Sequence, residues 1–259
     1  MRKRYVSWDR GEPDREWAGL ALLAEHAPGL APQPVRRETW EGAPAVVMTR
    51  LPGRPLGDAP LTAAQVRALA DAYRRLYAVP PDAVRAAGLG ERTTGPSTLR
   101  ATVRLGAAED GDLGGCRDPA LVRDALLTVR TWLDEPATTP DAVVDPVLGL
   151  ADGNLANVLW DGEVCPLVDF EDCGLSDPAY ELADVVEHAS SRLPGLLDVE
   201  ALMAHVDLTG EQQERWAAYR PLFAAFWLVM LLPGNSGFRR NPVGSTEDQA
   251  LQVLALLDV

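Results

Sequence analysis

One predicted β-hairpin constrains the fold of this 259-residue chain more than any other feature. Two short apolar runs, 158–160 and 164–168, flank the dipeptide Asp161-Gly162, which favours a two-residue turn between antiparallel strands. That turn places Asn157 opposite Pro166 across the hairpin. The polar side chains that flank the two strands are therefore expected to lie together at the open end of the hairpin.

Three polar residues flank this open end. Asp152 lies a few residues before the first strand, Asn157 directly before it, and Asp169 directly after the second strand. Two carboxylates and an amide oxygen are hard ligands of the kind that Mg²⁺ binds beside phosphate oxygens. A carboxylate that the metal does not need could accept a proton from a nucleophile. The trio predicts a phosphoryl-transfer site, although its spacing alone is equally compatible with polar residues that simply flank a hairpin.

The order of the predicted elements indicates an α+β protein with two lobes. A helical pattern over residues 16–24 is followed by two strands, 35–40 and 45–49, and helices dominate the remainder. The segment 51–56 contains two prolines and a glycine, which indicates a linker. We therefore expect a small β-containing N-lobe at 1–56 and a larger, mainly helical C-lobe at 57–259.

Several predicted helices have recognisable first turns. Residues 62–65 and 209–212 both have the Thr-x-x-Gln spacing of a capping box, in which the two side chains satisfy free backbone amides. Asp177-Pro178 combines an N-cap residue with a proline that fits the first helical position.

The helix predicted after Asp177 carries an acidic face that also includes His188. That face could form an electronegative cleft or a solvated surface, and we interpret His188 as structural.

The charge balance limits the class of partner. The formal net charge is −14, from 24 basic and 38 acidic residues, which argues against nucleic acid because phosphate binding needs a surplus of cations. Residues 1–56 hold nine basic and seven acidic residues, a net of +2, which leaves a net of −16 for residues 57–259. The acidic larger part favours a cationic substrate or partner.

Cysteine usage and apolar runs indicate the compartment. The three cysteines form no CxxC pair, which is typical of a protein in a reducing cytoplasm without disulfides. No apolar run follows the basic first residues, so no signal peptide is predicted. The longest apolar stretch, 221–232, is too short to span a bilayer. We expect a cytoplasmic monomer or homodimer with no membrane partner.

The polar trio belongs to a longer pattern. Residues 148–160 spell LGLADGNLANVLW, and residues 168–183 spell VDFEDCGLSDPAYELA. These segments resemble the aminoglycoside phosphotransferase / choline kinase family, whose protein-kinase-like fold carries His-Gly-Asp, four residues, Asn, and then a downstream Asp-Phe/Trp-Glu-Asp. The spacing here is similar, because Asn157 lies five residues after Asp152 and Asp169 lies seventeen residues after Asp152.

The resemblance implies an ATP-dependent phosphotransferase that moves the γ-phosphate to a substrate hydroxyl, with Mg²⁺ as cofactor and GTP as an open alternative to ATP. It implies Asp152 as the catalytic base, or as the group that orients the hydroxyl, and Asn157 and Asp169 as Mg²⁺ ligands. It also implies that Lys3, the single lysine beside 23 arginines, contacts the phosphates and pairs with Glu16. The alternative for Lys3 is a frayed, exposed side chain next to the first residue.

Further contacts follow from the same resemblance. Residues 44–56 resemble the strand and hinge around the adenine, so the implied nucleotide contacts are Met48, Arg50 and Leu51. Glu171 and Asp172 follow the metal aspartate and could face a cationic substrate, while Asp172 could equally have a structural role. Arg239 could contact an anionic substrate group or a phosphate, and a position in a surface loop is its alternative. The implied acceptor is an aminoglycoside, another amino-sugar antibiotic or an amino alcohol.

Two features depart from the family pattern. Leu150 and Ala151 stand where the motif has His and Gly. The two strands and the glycine-rich loop that precede the strand lysine in the family have no counterpart in this sequence, so we expect either a start upstream or a reduced N-lobe. The main alternative function is therefore a pseudokinase that binds a ligand or partner without turnover. A metal-dependent phosphohydrolase with the same oxygen ligands is a third interpretation.

Overall fold

A computed structural model describes residues 1–108, 111–136, 140–192 and 195–258. Its first part is an antiparallel sheet of order β1-β3-β2, formed by β1 (Arg2–Arg4), β2 (Pro34–Trp40) and β3 (Ala43–Met48). The helix α1 (Glu12–His26) packs against β2 and β3. The predicted helix and both predicted strands are therefore confirmed, with α1 beginning four residues earlier than its apolar pattern.

The turn between β2 and β3 shows why these strands pair closely. Glu41 and Gly42 both have positive φ, at 48° and 77°. A two-residue hairpin turn of this kind matches the right-handed twist of the strands that it joins. Trp40 pairs with Ala43 directly beside the turn, and the ladder continues to Pro34 and Met48 with one irregularity.

The remainder of the chain is mainly helical. Two short strand pairs hold the loops of the site: β4 (Arg54–Pro55) with β6 (Leu159–Trp160), and β5 (Val147–Gly149) with β7 (Gly174–Ser176). The helices are α2 (Ala63–Tyr77), α3 (Pro81–Ala86), α4 (Pro96–Ala108), α5 (Pro119–Asp134), α6 (Pro178–Glu187), α7 (Ala189–Arg192), α8 (Val199–Met203), α9 (Gly210–Met230), α10 (Ser236–Arg240) and α11 (Ser245–Leu256). Among the described residues, no helix is both long and apolar enough to cross a membrane.

The predicted helix starts are confirmed. Thr62 and Thr209 each form a full capping box with the glutamine three residues later. Asp177 accepts a hydrogen bond from the amide of Ala179 at 2.8 Å, which makes it the N-cap of α6. These patterns are local, so their outcome depends little on the rest of the fold.

The hairpin register predicted across Asp161-Gly162 is wrong. Val158 bridges Leu167, and the predicted second strand is not a regular strand. The cause is the Asp161 side chain, because its Oδ1 accepts the amides of Glu163 and Val164, both at 2.9 Å, and so stabilises a longer turn. The amide of Val168 donates to the Asn157 carbonyl at 2.9 Å, which still leaves Asp169 one residue from Asn157 across the pair.

Two clusters of buried apolar side chains form the core. One joins the sheet, α1 and α2 to the loops that carry Asp152 and Asp169, and the other lies among α4, α5, α6, α9 and α11. Leu150, which stands in place of the family histidine, is fully buried in the first cluster. That cluster holds side chains from both sides of residue 56, and the domain boundary at 56/57 stays a prediction.

Candidate active site

Lys3 lies at the centre of the site. Its Nζ forms ion pairs with Glu16 on α1 and with Asp169 in the loop after Val168, and it lies 3.0 Å from Glu171 Oε2. The register of β1 on β3 places Lys3 opposite Val46, which fixes the strand from which the side chain extends. One cation therefore connects the sheet, the first helix and the loop between β6 and β7.

Burial and charge act in opposite directions on Lys3. Partial burial alone would lower its pKa, but the Glu16 and Asp169 carboxylates outweigh this and hold the pKa above its usual value. Glu16 is 1% exposed, and its Oε2 also accepts a hydrogen bond from the Tyr5 hydroxyl. The lysine is thus a fixed positive charge in the part of the site where phosphates are expected.

Asp152 and Asn157 are joined directly. Asn157 Nδ2 donates to Asp152 Oδ2 at 2.8 Å, and the Asn154 amide donates to Asp152 Oδ1 at 3.0 Å. Burial raises the pKa of Asp152, while these two hydrogen bonds oppose the rise. Because the Asn157 amide nitrogen is used, its oxygen is left available, and no described residue donates to it. A carboxylate at Asp169 and an amide oxygen at Asn157 are suitable donors for Mg²⁺.

The loop around Asp152 has an unusual backbone. Ala151 has φ of 68° and Asp169 has φ of 70°, both in the left-handed region that non-glycine residues rarely adopt. Gly153 has no room for a side chain, because a Cβ there would lie 2.5 Å from the carbonyl oxygen of Asp184. The loop is therefore held close against α6, which fixes the residues on either side of Asp152.

Arg92 holds this loop against α6. It is 5% exposed, and its guanidinium pairs with Glu181 at 2.5 Å and with Asp184 at 2.8 Å, both on α6. The same guanidinium donates to the Ala151 carbonyl oxygen at 3.0 Å, and Glu181 accepts the Ala151 amide at 3.1 Å. Two carboxylates of the predicted acidic face of α6 thus share one positive charge, and Arg92 and Glu181 together bind both backbone polar groups of the residue before Asp152.

His188 lies next to Asp152, although the sequence suggested no link between them. Its Nε2 is 3.6 Å from Asp152 Oδ1, and its ring is buried against Trp227 with centroids 4.3 Å apart. Burial lowers the pKa of His188 to about 3. Neither His188 nor Arg92 was a predicted site residue, because each reaches the site only through the packing of distant segments.

The predicted hinge residues follow the sheet. Met48 is buried at the end of β3, and its backbone amide and carbonyl both bond to Met1. Two and three residues further along, Arg50 and Leu51 have backbone amides for which no described residue provides an acceptor. Free amides at the edge of a site can bind the edge of a nucleotide base.

The remaining candidates are separated. Glu171 lies beside Lys3, whereas Asp172 accepts bonds from Thr93 Oγ1 at 2.6 Å and from Arg10 at 3.1 Å. A cavity of about 490 Å³ opens beside Asp152, with walls from the loop around Asp152, α6, α9 and α10. Arg239 does not line it, but the adjacent Arg240 does.

Comparison with known proteins gives the fold and the family. The spectinomycin phosphotransferase APH(9)-Ia, in complex with ADP and spectinomycin, superposes with a TM-score of 0.63 at 12% identity, over 100% of this chain and 84% of that chain. Apo aminoglycoside phosphotransferase APH(4)-Ia gives 0.62 at 17%, over 99% and 86%. The GDP complex of aminoglycoside 2′-phosphotransferase IIIa gives 0.58 at 21%, over 95% and 80%. A comparison with curated proteins finds no match.

These matches confirm the predicted α+β, kinase-like fold. At 12–21% identity, these structures show the fold of the chain, and the sequence shows its family. The chain belongs to the phosphotransferase enzyme family, whose sequence model matches residues 2–222.

Proposed function

We propose that this protein transfers the γ-phosphoryl group of ATP to a hydroxyl group of a small molecule. The observation that carries the proposal is the contact of Lys3 with both Glu16 and Asp169, next to the hydrogen-bonded pair of Asp152 and Asn157. Phosphoryl transfer needs little covalent help from a protein, and a fixed cation, a metal site and a nearby base meet its main requirements.

The nucleotide would lie between the hinge and Lys3. The free amides of Arg50 and Leu51 would bind the base, and Lys3 would contact the phosphates while Glu16 holds it in position. Asn157 and Asp169 would hold Mg²⁺, which supplies neutralisation of phosphate charge when bound. The neighbouring structures with ADP and with AMP-PNP support an adenine nucleotide as the donor, with GTP as the alternative.

Asp152 would act on the acceptor hydroxyl. The hydroxyl oxygen attacks the γ-phosphorus and forms a new O–P bond, the bond from the γ-phosphorus to the bridging oxygen breaks, and ADP leaves. The hydroxyl proton passes to Asp152, whose other contacts, from Asn154 and Asn157, fix the carboxylate. Burial raises the pKa of Asp152, which makes the carboxylate a stronger base.

The pseudokinase alternative rests on Leu150, on Ala151 and on the lack of a family-type glycine-rich loop in this sequence. Against it, Leu150 fills a core position, and the Ala151 backbone is held by Arg92 and Glu181. These contacts hold the loop in place without the family histidine.

The acceptor class has two candidates. The net charge of −14 and the neighbour bound to hygromycin B favour a cationic antibiotic, while the cavity wall favours another class, argued below.

The test is transfer of radiolabelled γ-phosphate from Mg-ATP to a panel of hydroxylated compounds. Asp152→Asn should lower the transfer rate by about a hundredfold or more while Mg-ATP still binds. If Mg-ATP binds, no compound in the panel is phosphorylated, and Asp152→Asn leaves the slow formation of ADP unchanged, the protein is a binding module and not an enzyme.

A further inference from the structure

The cavity beside Asp152 has an aromatic wall. Phe223, Phe226 and Trp227 line it from α9, and the latter two are only half-buried. The Trp227 ring stands edge-to-face to Phe226, at a centroid distance of 5.5 Å, and to His188, at 4.3 Å. The two half-buried rings of Phe226 and Trp227 offer apolar faces and edges against which a flat apolar group can pack at low entropic cost.

The carboxylates of this cavity are largely used within the protein. Among the residues that the structure describes, Asp152 and Asp184 are the carboxylates that line it, and Asp184 is buried and paired with Arg92 at 2.8 Å. Glu181, the neighbouring carboxylate on α6, is also paired with Arg92. Asp152 alone therefore remains to receive a cation, and His188 stays neutral because burial lowers its pKa. An ammonium group that enters without a carboxylate partner loses hydration without compensation.

The cavity also carries an unused positive charge. Arg240 lines it from α10, where its guanidinium donates to Ser236 Oγ at 2.7 Å and to the Ser236 carbonyl at 3.3 Å. Among the residues that the structure describes, no carboxylate lies within ion-pair distance of Arg240. A guanidinium held only by neutral acceptors keeps donors for an anion and repels a polycation.

We infer that the acceptor is a hydroxylated compound with a flat apolar part and one anionic group, in which the apolar part packs on Phe226 and Trp227 and the anion pairs with Arg240. This inference rests on the proposed phosphotransferase function. It differs from the prediction of a polycationic acceptor, because the charge that a substrate meets on binding is that of the cavity wall and not that of the whole chain.

Three fragments on one ring scaffold test this directly: 4-(hydroxymethyl)benzoate, benzyl alcohol and 4-(hydroxymethyl)benzylamine, with hygromycin B as the polycation. Their binding to the full chain is measured by ligand-observed NMR titration without nucleotide. We expect the benzoate to bind tightest and the amine weakest. Arg240→Gln should weaken benzoate binding by about tenfold and leave benzyl alcohol unchanged. Arg239→Gln is the matched control, because that neighbouring arginine does not line the cavity.

Trp227→Leu should weaken all three ring fragments by a similar factor, since each loses the same stacking surface. The inference is overturned if hygromycin B or the benzylamine binds more tightly than the benzoate, if no ring fragment binds, or if Arg240→Gln and Arg239→Gln behave alike. A separate measurement of Mg-ATP binding distinguishes failure of the proposed phosphotransferase function from failure of the inference about the acceptor. If fragments bind in the expected order but Mg-ATP does not bind, the proposed function fails, and the cavity keeps only a binding preference for a flat, anionic ligand that is not a phosphate acceptor.

Discussion

His188 Nε2 lies 3.6 Å from Asp152 Oδ1, at the point where α6 ends. The amide of Ser190 donates to His188 Nδ1 at 3.1 Å, so the proton of the neutral ring is on Nε2 and faces Asp152. The family histidine precedes the aspartate of its motif in sequence, whereas His188 reaches Asp152 from the junction of α6 and α7. The imidazole therefore provides a neutral, polar neighbour for the carboxylate.

Replacing His188 should change how stability depends on pH. Burial lowers its pKa from 6.5 to about 3, so between these values the unfolded chain binds a proton that the folded chain does not. Unfolding is then favoured as the pH falls from 6.5 towards 3, by up to about 1.4 kcal/mol per pH unit. His188→Gln should remove this contribution. Urea unfolding between pH 7 and pH 4 measures the slope, and His26→Gln, at an exposed histidine, controls for loss of an imidazole. Equal slopes in wild type and His188→Gln would contradict the account.

Arg92 should be essential for stability. Arg92→Ala leaves the buried carboxylates of Glu181 and Asp184 without their counter-charge, at a cost of about 3–5 kcal/mol in the free energy of unfolding. Adding Glu181→Gln and Asp184→Asn to Arg92→Ala should recover part of the loss. Arg85→Ala, at an exposed arginine, should leave the denaturation midpoint nearly unchanged. If Arg92→Ala behaves like Arg85→Ala, the buried network does not hold the loop.

Lys3 should matter for the nucleotide. Lys3→Met removes the cation between Glu16 and Asp169, and kcat/KM for ATP should fall by about a hundredfold. Arg4→Met, at the next and exposed residue of β1, is the control and should keep wild-type kinetics. Steady-state assays with varied ATP measure both. A similar loss in the two variants would mean that β1 contributes only packing.

Ala151→Gly should stabilise the protein. Ala151 has φ of 68°, a conformation that costs an L-residue about 1–2 kcal/mol. This exceeds the roughly 0.5–1 kcal/mol of backbone entropy that glycine loses on folding, so the midpoint of urea unfolding should rise slightly. Ala156→Gly, in the same loop at a residue without positive φ, should instead lower the midpoint. Loss of stability in Ala151→Gly would show that the Ala151 methyl group makes a contact that outweighs the strain.

The parts of the fold that sequence predicted are the local ones. The capping boxes at Thr62 and Thr209 and the N-cap at Asp177 were correct because each depends on residues two or three positions apart. The hairpin register was wrong because one further local interaction, the Asp161 side chain on two amides, lengthened the turn. The trio at the hairpin end was unaffected, since a shift in register kept Asn157 and Asp169 adjacent.

The parts of the site that were not predicted depend on contacts between residues far apart in the chain. Arg92 lies 89 positions from Glu181 in the chain, in a segment with no regular pattern, and only the packing of α6 brings them together. The sequence indicates a structural role for His188, because the three histidines lack the spacing of metal ligands, and its contact with Asp152 arises only in the fold. The net charge beside the site could not be predicted from the sequence either. The acidic face of α6 is visible in the sequence, but its pairing with Arg92 is not.

The most direct test of the central claim is thermal unfolding with and without Mg-ATP, in wild type, Asp169→Asn and Asp71→Asn. Ligand binding to the native state raises the melting temperature, by about 3 °C or more when Mg-ATP is ten times above its Kd. The account predicts a magnesium-dependent rise in wild type that is kept in Asp71→Asn, on the exposed face of α2, and lost in Asp169→Asn. No rise at millimolar Mg-ATP, or an equal rise in Asp169→Asn, would contradict it.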